Sequence, residues 1–200
     1  MKKTIKKIYI FRHGETDWNK ESRFQGHIDA PLNDEGRKQA RTLALKLKDK
    51  SLEAILSSDL SRAHETAKIC TVELNHIPIH IDERLREAHL GEAQGKTFDE
   101  IKSHFGEELT QRWRSAHSTD ADVSYPGGES GKQIINRSLA AIEEFLQRES
   151  LSIIGVATHG GVIRRIMQSI LPPGFTSVPI PNCVLYEIHY DPTDKSWKKR

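Results

Sequence analysis

The strongest constraint on the fold is the regular alternation of short apolar runs with amphipathic helical segments. Residues 152–158, SIIGVAT, are almost wholly apolar, which is typical of a central strand covered on both faces. Similar β-rich runs occur at 7–12 and 54–58, and a helical pattern follows each of them. Repeated strand–helix units predict an α/β fold, a three-layer α/β/α sandwich around a mostly parallel central sheet.

Capping residues and turn residues bound the remaining elements. Asn33 is a good N-cap, and Ser130 with Gln133 forms a capping-box pattern. Pro172 and Pro173 are expected to stop the last helix. The predicted helices cover about 33–50, 61–74, 130–149 and 160–171, and two further strands cover 77–81 and 184–190.

One stretch departs from this alternation. Thr97 and Glu100 form another capping-box pattern, and the chain then reads as helix and loop to about residue 128. We interpret 97–128 as a short helical lid inserted into a single domain that spans 1–200, which is an ordinary size for one domain.

Composition narrows the class of partner and the compartment. Lys and Arg total 30 against 28 Asp and Glu, a formal net charge of +2, which argues against a general nucleic-acid binder. No signal-peptide core or 18-residue apolar run is present, so no membrane partner is expected. Cys70 and Cys183 stand far apart, and nothing else indicates secretion, which favours a reduced, cytoplasmic protein.

Strand ends are predicted to bring reactive side chains to one edge of the sheet. The first strand runs into Arg12 and His13, the nearly all-apolar strand runs into His159, and Arg62 follows the second strand. Ligands bind at the carboxyl ends of parallel strands in open α/β sheets. We therefore expect these four side chains to surround one ligand.

These residue types suit phosphate chemistry. Arginine forks match phosphate oxygens, and a neutral imidazole is a competent nucleophile near neutral pH. A second histidine, if protonated, can donate to a phosphoryl oxygen as charge builds on it. No GxxxxGK[ST] pattern indicates a P-loop, and Pro78 between His76 and His80 argues against a helical metal pair.

The run Arg12-His13-Gly14-Glu15-Thr16 resembles the signature of the histidine phosphatase superfamily, also called phosphoglycerate mutase-like. The resemblance continues in the same order over nearly the whole chain. The other matching segments include Trp18-Asn19, Gln25-Gly26, Pro31-Leu32-Asn33, Ser57-Ser58-Asp59-Leu60-Ser61-Arg62-Ala63, Leu85-Arg86-Glu87, Pro126-Gly127-Gly128-Glu129-Ser130 and Thr158-His159-Gly160-Gly161.

The resemblance implies a role for each matching residue. His13 is implied as the nucleophile that accepts the phosphoryl group, and Glu87 as the general acid and base. The other implied phosphate or substrate contacts are Arg12, Asn19, Gln25, Arg62, His159 and the backbone N–H of Gly160. The implied substrate is a small phosphorylated metabolite, phosphate is the product, and no metal or cofactor is expected. The alternative for Glu87 is a surface salt bridge with Arg84 or Arg86, and for Asn19 and Gln25 it is ordinary loop hydrogen bonding.

The residues after Glu87 favour a phosphatase over a mutase. The mutases of this superfamily carry a Tyr-Gly pair there, whereas this chain has Ala88-His89, and its excursion is short. A cofactor-dependent phosphoglycerate mutase and a non-catalytic phosphate-binding module remain the alternatives. The loop also carries Ala93 and Gln94 where many relatives have an aromatic residue and Glu.

Several points stay open from the sequence alone. His89 faces either the substrate or the interior, and the basic residues of the excursion, Arg112 and Arg114 among them, either bind a second anionic group or are solvated. The last strand, 184–190, would permit an edge-to-edge homodimer.

Overall fold

The computed structural model describes residues 4–115, 120–171 and 178–199. Its strands are β1 (Lys6–Arg12), β2 (Ala54–Ser57), β3 (Ile79–Ile81), β4 (Ile153–Thr158), β5 (Leu185–Asp191) and β6 (Ser196–Lys199). They form one six-stranded sheet in the order β3-β2-β4-β1-β5-β6. The first four strands pair in parallel, and β5 and β6 are antiparallel, which confirms the predicted mostly parallel α/β fold.

Helices cover both faces of this sheet. They are α1 (Asp17–Lys20), α2 (Asp34–Leu47), α3 (Ser61–Val72), α4 (Phe98–Phe105), α5 (Glu107–Arg114), α6 (Gly131–Arg148) and α7 (Gly160–Ile170). Alternate side chains of β1 point to opposite faces: Ile8 and Ile10 pack in the core with α6 and α7, and Tyr9 and Phe11 pack with α2 and α3. The two cores make the three layers of the sandwich.

The excursion contains the helices α4 and α5, separated by Gly106. Its inner side is an aromatic cluster in which the Tyr125 ring lies 5.3 Å from Phe105 and 5.4 Å from Trp113. Arg165 of α7 fastens α5 to the core by donating to the carbonyls of Trp113 and Ser115. Residues 116–119 of the excursion lie outside the described residues, as do Pro172 and Pro173, the predicted stop of α7.

The C-terminal strand β6 corrects the expectation that residues 184–190 form a free sheet edge. Strand β5 is hydrogen-bonded to β1 on one side and to β6 on the other, so β5 is not an edge strand, and a homodimer stays a prediction. Trp197 fixes β6 to α6, since its Nε1 donates to Glu143 Oε1 at 2.9 Å and its ring lies 4.7 Å from Tyr190. The short run SWKK carries too little periodicity to be recognised as a strand.

Cys70 and Cys183 are both buried free thiols, and burial raises the pKa of each, that of Cys183 to about 12. Within the described ranges, none of the helices combines the length and the apolar character needed to cross a bilayer.

Candidate active site

The carboxyl ends of β1 and β4 bring the two predicted histidines together. Arg12 is paired with Thr158 in the parallel register, and the His13 N–H donates to the Thr158 carbonyl at 3.0 Å. As a result His13 and His159 leave adjacent strands side by side, with ring centroids 5.2 Å apart. Both rings are buried, His13 being 2% exposed and His159 fully covered.

The loop after His13 and the first turn of α2 pass so close to each other that each needs a glycine at the crossing point. A Cβ on Gly14 would lie 2.4 Å from the Gly36 carbonyl oxygen, and one on Gly36 would lie 2.1 Å from that of Glu15. The Gly14 N–H donates to the Thr66 hydroxyl at 3.0 Å, and that hydroxyl donates to the Arg62 carbonyl at 2.7 Å. The loop that presents His13 is therefore fixed to both α2 and α3.

Hydrogen bonding fixes which nitrogen of His13 is free. Its Nδ1 lies 2.6 Å from the Gly14 carbonyl oxygen, which can only accept, so Nδ1 carries the proton. Burial, together with the positive charges of Arg62 and Arg12, holds the pKa of His13 well below its ordinary value of 6.5. The ring is therefore neutral, and Nε2 keeps its lone pair. This is the state that a nucleophile requires.

Both ring nitrogens of His159 have hydrogen-bond partners within the protein. Its Nδ1 accepts from Arg62 Nε at 3.2 Å, and because guanidinium only donates, the proton is on Nε2, which donates to Ser58 Oγ at 2.9 Å. Burial and the charge of Arg62 hold its pKa well below the ordinary value. His159 is thus a neutral ring that accepts from Arg62, and it is not among the residues that line the cavity.

Arg62 is the most completely enclosed charge of the site. It is fully buried, and its two terminal nitrogens donate to the carbonyls of Gly26 at 2.8 Å and Ile28 at 3.0 Å. Burial lowers the pKa of Arg62 to about 10, with Glu87 and Asp29 opposing the shift, so the side chain stays protonated at neutral pH. A buried cation of this kind is stabilised by an anion in the cavity beside it.

Arg12 and Gln25 supply polar atoms that the protein itself does not satisfy. Arg12 Nη1 donates to the Ile180 carbonyl at 2.7 Å, whereas its buried Nε has no partner among the described residues. The buried Oε1 of Gln25 is likewise without a partner there. Buried polar atoms normally have hydrogen-bond partners, so a ligand is the natural partner for the Arg12 donor.

Asn19 reaches the same cavity from α1. Its Oδ1 accepts from the backbone N–H of Thr16 and from Asn182 Nδ2 at 3.1 Å, which leaves its amide NH₂ as the group available to a ligand. Asn182 also donates to the His13 carbonyl at 3.2 Å. Sequence reasoning missed Asn182, since the short segment before β5 carries no motif that marks it.

Glu87 enters the cavity from the loop after β3 and is held at the start of α7. Its Oε2 accepts from the Gly161 N–H at 3.0 Å, and a Cβ on Gly161 would lie 2.4 Å from its Oε1. The surface salt bridge considered for Glu87 is excluded, because Arg84 pairs with Asp82 and Arg86 with Asp59. Glycine at 161 is therefore what lets the carboxyl group approach the helix end.

A second set of contacts holds the Glu87 backbone. Its carbonyl oxygen lies 2.7 Å from His27 Nε2 and accepts from Arg137 Nη2 at 3.0 Å. Glu129 accepts two hydrogen bonds from the same arginine, at 2.7 and 2.9 Å. Sequence reasoning missed Arg137, which lies in the middle of α6 without a motif of its own.

Apart from His159, the predicted site residues line a cavity of about 350 Å³. Its floor carries Arg12, His13, Arg62 and Glu87, the Gly160 and Gly161 backbone is on one side, and α4 and α5 contribute the outer wall. His89 and Gln94 are not among the lining residues. The His89 ring packs edge-on against His27 at 5.0 Å, and Gln94 Oε1 accepts from the His27 N–H at 2.7 Å, so both support the loop around Glu87 and Arg62.

Comparisons with known proteins agree with this geometry. The family model described as histidine phosphatase superfamily (branch 1) matches residues 8–200. The chain is 38% identical over 167 residues to phosphoglycerate mutase-like protein 4 of Arabidopsis thaliana, covering 82% of this chain and 71% of that protein. It is 37% identical over 169 residues to a metal-independent phosphoserine phosphatase of the same plant, covering 81% of this chain and 67% of that protein.

A solved structure gives the same result for the fold. The mycobacterial glucosyl-3-phosphoglycerate phosphatase in complex with VO3 superposes with a TM-score of 0.82 at 29% sequence identity. The superposition covers 98% of this chain and 96% of that chain. Proteins named as phosphatases and a protein named as mutase-like are therefore both among the relatives.

Proposed function

The chain belongs to the histidine phosphatase superfamily, and we propose that it is a metal-independent phosphomonoesterase that acts on a small phosphorylated metabolite through a phosphohistidine on His13. The coarser activity, a phosphoric monoester hydrolase, is also the one that its phosphatase relatives carry in their names. The observation that carries the proposal is the state of His13. Its protonated Nδ1 donates to the Gly14 carbonyl, and its neutral ring offers the Nε2 lone pair between two arginines.

In the first step Nε2 of His13 attacks phosphorus in line with the ester oxygen. The N–P bond forms, the P–O bond to the leaving group breaks, and protonated Glu87 gives its proton to the departing oxygen. Arg12 and Arg62 supply hydrogen bonds to the equatorial oxygens of the transferring group. The unpartnered Arg12 Nε and the buried Arg62 charge support this role.

In the second step water hydrolyses the phosphohistidine. Glu87, now a carboxylate, takes a proton from the attacking water, the new P–O bond forms, and the N–P bond breaks, which returns the electron pair to Nε2. Inorganic phosphate leaves, and Glu87 is again protonated for the next substrate.

His159 has two successive roles in this proposal. We assign it first to orienting Arg62, because its Nδ1 accepts from Arg62 Nε. A phosphoryl group next to the two rings favours protonation of His159, which would end that acceptance and provide a further donor to the phosphate. Direct contact between His159 and phosphate remains a prediction for the substrate complex.

The positive charge needed at the transition state is available from the chain itself. Arg12 and Arg62 provide two fixed cations at the cavity floor, and the Gly160 N–H at the start of α7 provides a backbone donor. We therefore expect turnover in the presence of EDTA. A phosphoglycerate mutase would use the same cavity floor. The similarity to a phosphoglycerate mutase-like protein makes mutase activity the second candidate.

The test is a panel of small phosphomonoesters assayed in EDTA with the wild type and His13→Ala. The panel includes p-nitrophenyl phosphate, phosphoserine, and 3-phosphoglycerate with and without its bisphosphate. Metal-independent phosphate release that is lost in His13→Ala supports the proposal. Phosphoglycerate interconversion faster than hydrolysis would make the protein a mutase, and phosphate binding without any turnover would make it a binding module.

A further inference from the structure

The cavity has more positive charge than one phosphate monoester requires. Five arginines line it, namely Arg12, Arg23, Arg62, Arg114 and Arg164, against one acidic side chain, Glu87. Arg12 and Arg62 lie at the floor with His13. Arg23 is neutralised at the rim, because it forms salt bridges with Glu21 at 2.9 Å and Glu100 at 3.5 Å. The remaining excess of positive charge comes from Arg114 and Arg164.

Neither of these two arginines has an acidic partner in the part of the chain that the structure describes. Arg114 stacks over the Phe98 ring, with its guanidinium carbon 5.0 Å from the ring centroid, and it is the last residue of α5. Arg164 makes no salt bridge within 4.0 Å in those ranges. The sequence of 116–119 and 172–177, outside them, contains no Asp or Glu.

The position of Arg164 connects the floor of the cavity with its outer wall. It follows Gly160 and Gly161 by four and three residues, so all three lie on one face of α7. The side chain is half-buried, and its pKa is lowered by burial and by the charge of Arg114, with Glu87 acting in the opposite direction. The charge of Arg164 also acts on Arg12. It therefore lies beside both the phosphate floor and Arg114.

Other arginines of the same two helices show what a purely structural role looks like here. Arg112 of α5 is not among the residues that line the cavity, and it pairs with Asp120 at 2.9 Å. Arg165 of α7 donates to the Ser115 carbonyl and to Gln168 Oε1. Both side chains thus have partners within the protein. Arg114 and Arg164 instead line the cavity without an acidic partner among the described residues, and an anion in the cavity would stabilise their charges.

We propose that Arg114 and Arg164 form a second anion subsite, so that the preferred substrates are phosphate monoesters that carry a second acidic group on the same small molecule. This inference rests on the proposed phosphatase function. The phosphoryl group occupies the floor with Arg12 and Arg62, and the second acidic group, a carboxylate or another phosphate, binds the two outer arginines. Phe98 and Trp113 form the apolar wall beside that group.

The test compares pairs of substrates that differ in the second acidic group. 3-Phosphoglycerate is compared with glycerol 3-phosphate for the carboxylate, and fructose 1,6-bisphosphate with fructose 6-phosphate for the phosphate. For each pair the ratio of kcat/KM values is measured in the wild type, Arg114→Gln, Arg164→Gln and the control Arg112→Gln. We expect the doubly acidic member of at least one pair to be preferred by about 10- to 100-fold.

Arg164→Gln and Arg114→Gln are expected to lower that ratio about 10-fold each, because each removes a charge-assisted contact, while Arg112→Gln keeps the wild-type ratio. The pair that shows the preference identifies the second group. A wild-type ratio near one for both pairs, or an unchanged ratio in Arg164→Gln, overturns the subsite even if hydrolysis is established.

A failure of the phosphatase proposal would be seen separately. If no monoester is turned over, calorimetric titration with the same substrate pairs measures the subsite directly. Tighter binding of the doubly acidic member that Arg164→Gln abolishes supports the subsite without catalysis. Equal binding of both members contradicts it.

Discussion

At the scale of single residues, the site depends on histidines that are kept neutral by burial. His13 has one nitrogen committed to a carbonyl, and the two flanking arginines disfavour a second proton. His159 is kept neutral in the same way and accepts from Arg62. Neutral imidazole is the form that can attack phosphorus, so in the proposed mechanism the arginines assigned to phosphate also keep the assigned nucleophile neutral.

Buried neutral histidines make stability depend on pH. The pKa values of His13 and His159 are lower in the folded protein than the ordinary 6.5, so the unfolded state binds more protons below that value. The stability that these neutral histidines contribute is fully present above pH 6.5, and it falls as the pH drops towards their folded-state pKa. We expect the free energy of unfolding to lose about 1.4 kcal/mol per pH unit for each histidine in this window.

Urea unfolding at several pH values between 7.5 and 5 measures this effect. His13→Asn removes one of the two groups, so its stability should fall less steeply with acidification than that of the wild type. The other histidines are common to both proteins and cancel in the comparison. Equal slopes would show that His13 is not held neutral by the fold.

Gly161 is predicted to be required for the position of Glu87. In Gly161→Ala the new Cβ would meet Oε1 of Glu87 at 2.4 Å, so the carboxyl group has to move. A displacement of about 1 Å at a reacting group can cost about 100-fold, and we expect a loss of this order in kcat for alkyl phosphates. Steady-state assays of Gly161→Ala, Glu87→Gln and the double variant measure it.

A double-mutant cycle separates positioning from general damage. If Gly161 acts through Glu87, then Gly161→Ala should cost little more once Glu87→Gln is present. Fully additive losses would show that the alanine disturbs the site in some other way.

At the scale of elements, α6 holds the loop that carries Glu87. Arg137 donates to the carbonyls of Arg84 at 2.6 Å, Arg86 at 2.8 Å and Glu87 at 3.0 Å. Its guanidinium is itself fixed by Glu129 at 2.7 Å. The loop after β3 is therefore tied to the middle of α6 by one side chain.

Arg137→Lys should weaken this connection while keeping the charge. We expect it to cost about 1–3 kcal/mol of unfolding free energy, because a single ammonium cannot replace the guanidinium fork. We also expect a lower kcat for alkyl phosphates and a changed pH profile of kcat, as Glu87 becomes less well positioned. Denaturant unfolding and pH–rate profiles measure the two effects.

Arg148→Lys is the matched control on the same helix. Arg148 is exposed and pairs with Glu149, so its replacement should change the unfolding free energy by less than about 0.5 kcal/mol. A change in stability for Arg137→Lys with no change in the pH profile of kcat would make Arg137 a structural residue only.

Elements with strong patterns were predictable from the sequence, and elements fixed by packing were not. The apolar run at 152–158 became β4, and its position next to β1 explains why His13 and His159 meet. Strand β6 was missed because four residues carry almost no periodicity, and its place is set by Trp197 against α6. Helix α4 begins after the capping residue Thr97, and Gly106 separates it from α5.

At the scale of the whole molecule, a nearly neutral chain concentrates positive charge in one cavity. The net charge is +2, whereas the cavity has five arginines and one acidic residue. The motif residues in the cavity were predictable from the sequence. Arg164, Arg137 and Asn182 were not, because their importance depends on which atoms they face in the folded chain.

This arrangement predicts that inorganic phosphate stabilises the folded protein. A ligand that binds only the folded state adds about 2.7 kcal/mol at 100 times its Kd. Thermal unfolding with increasing phosphate should show this rise in the wild type. In Arg12→Met the rise should require higher phosphate concentrations, and in the control Arg41→Met, an exposed residue of α2, it should be unchanged. Equal responses in all three proteins would show that phosphate does not bind at this cavity.

The central claim is covalent transfer of the phosphoryl group to His13, and rapid quenching of a single turnover tests it most directly. The wild type and Glu87→Gln would be mixed with p-nitrophenyl phosphate, quenched in base, where phosphohistidine persists, and analysed by peptide mass spectrometry. We predict one phosphate on the peptide that contains His13, with more of it in Glu87→Gln because its hydrolysis is slowed. Release of p-nitrophenol with no phosphorylated His13 in either protein would contradict the account.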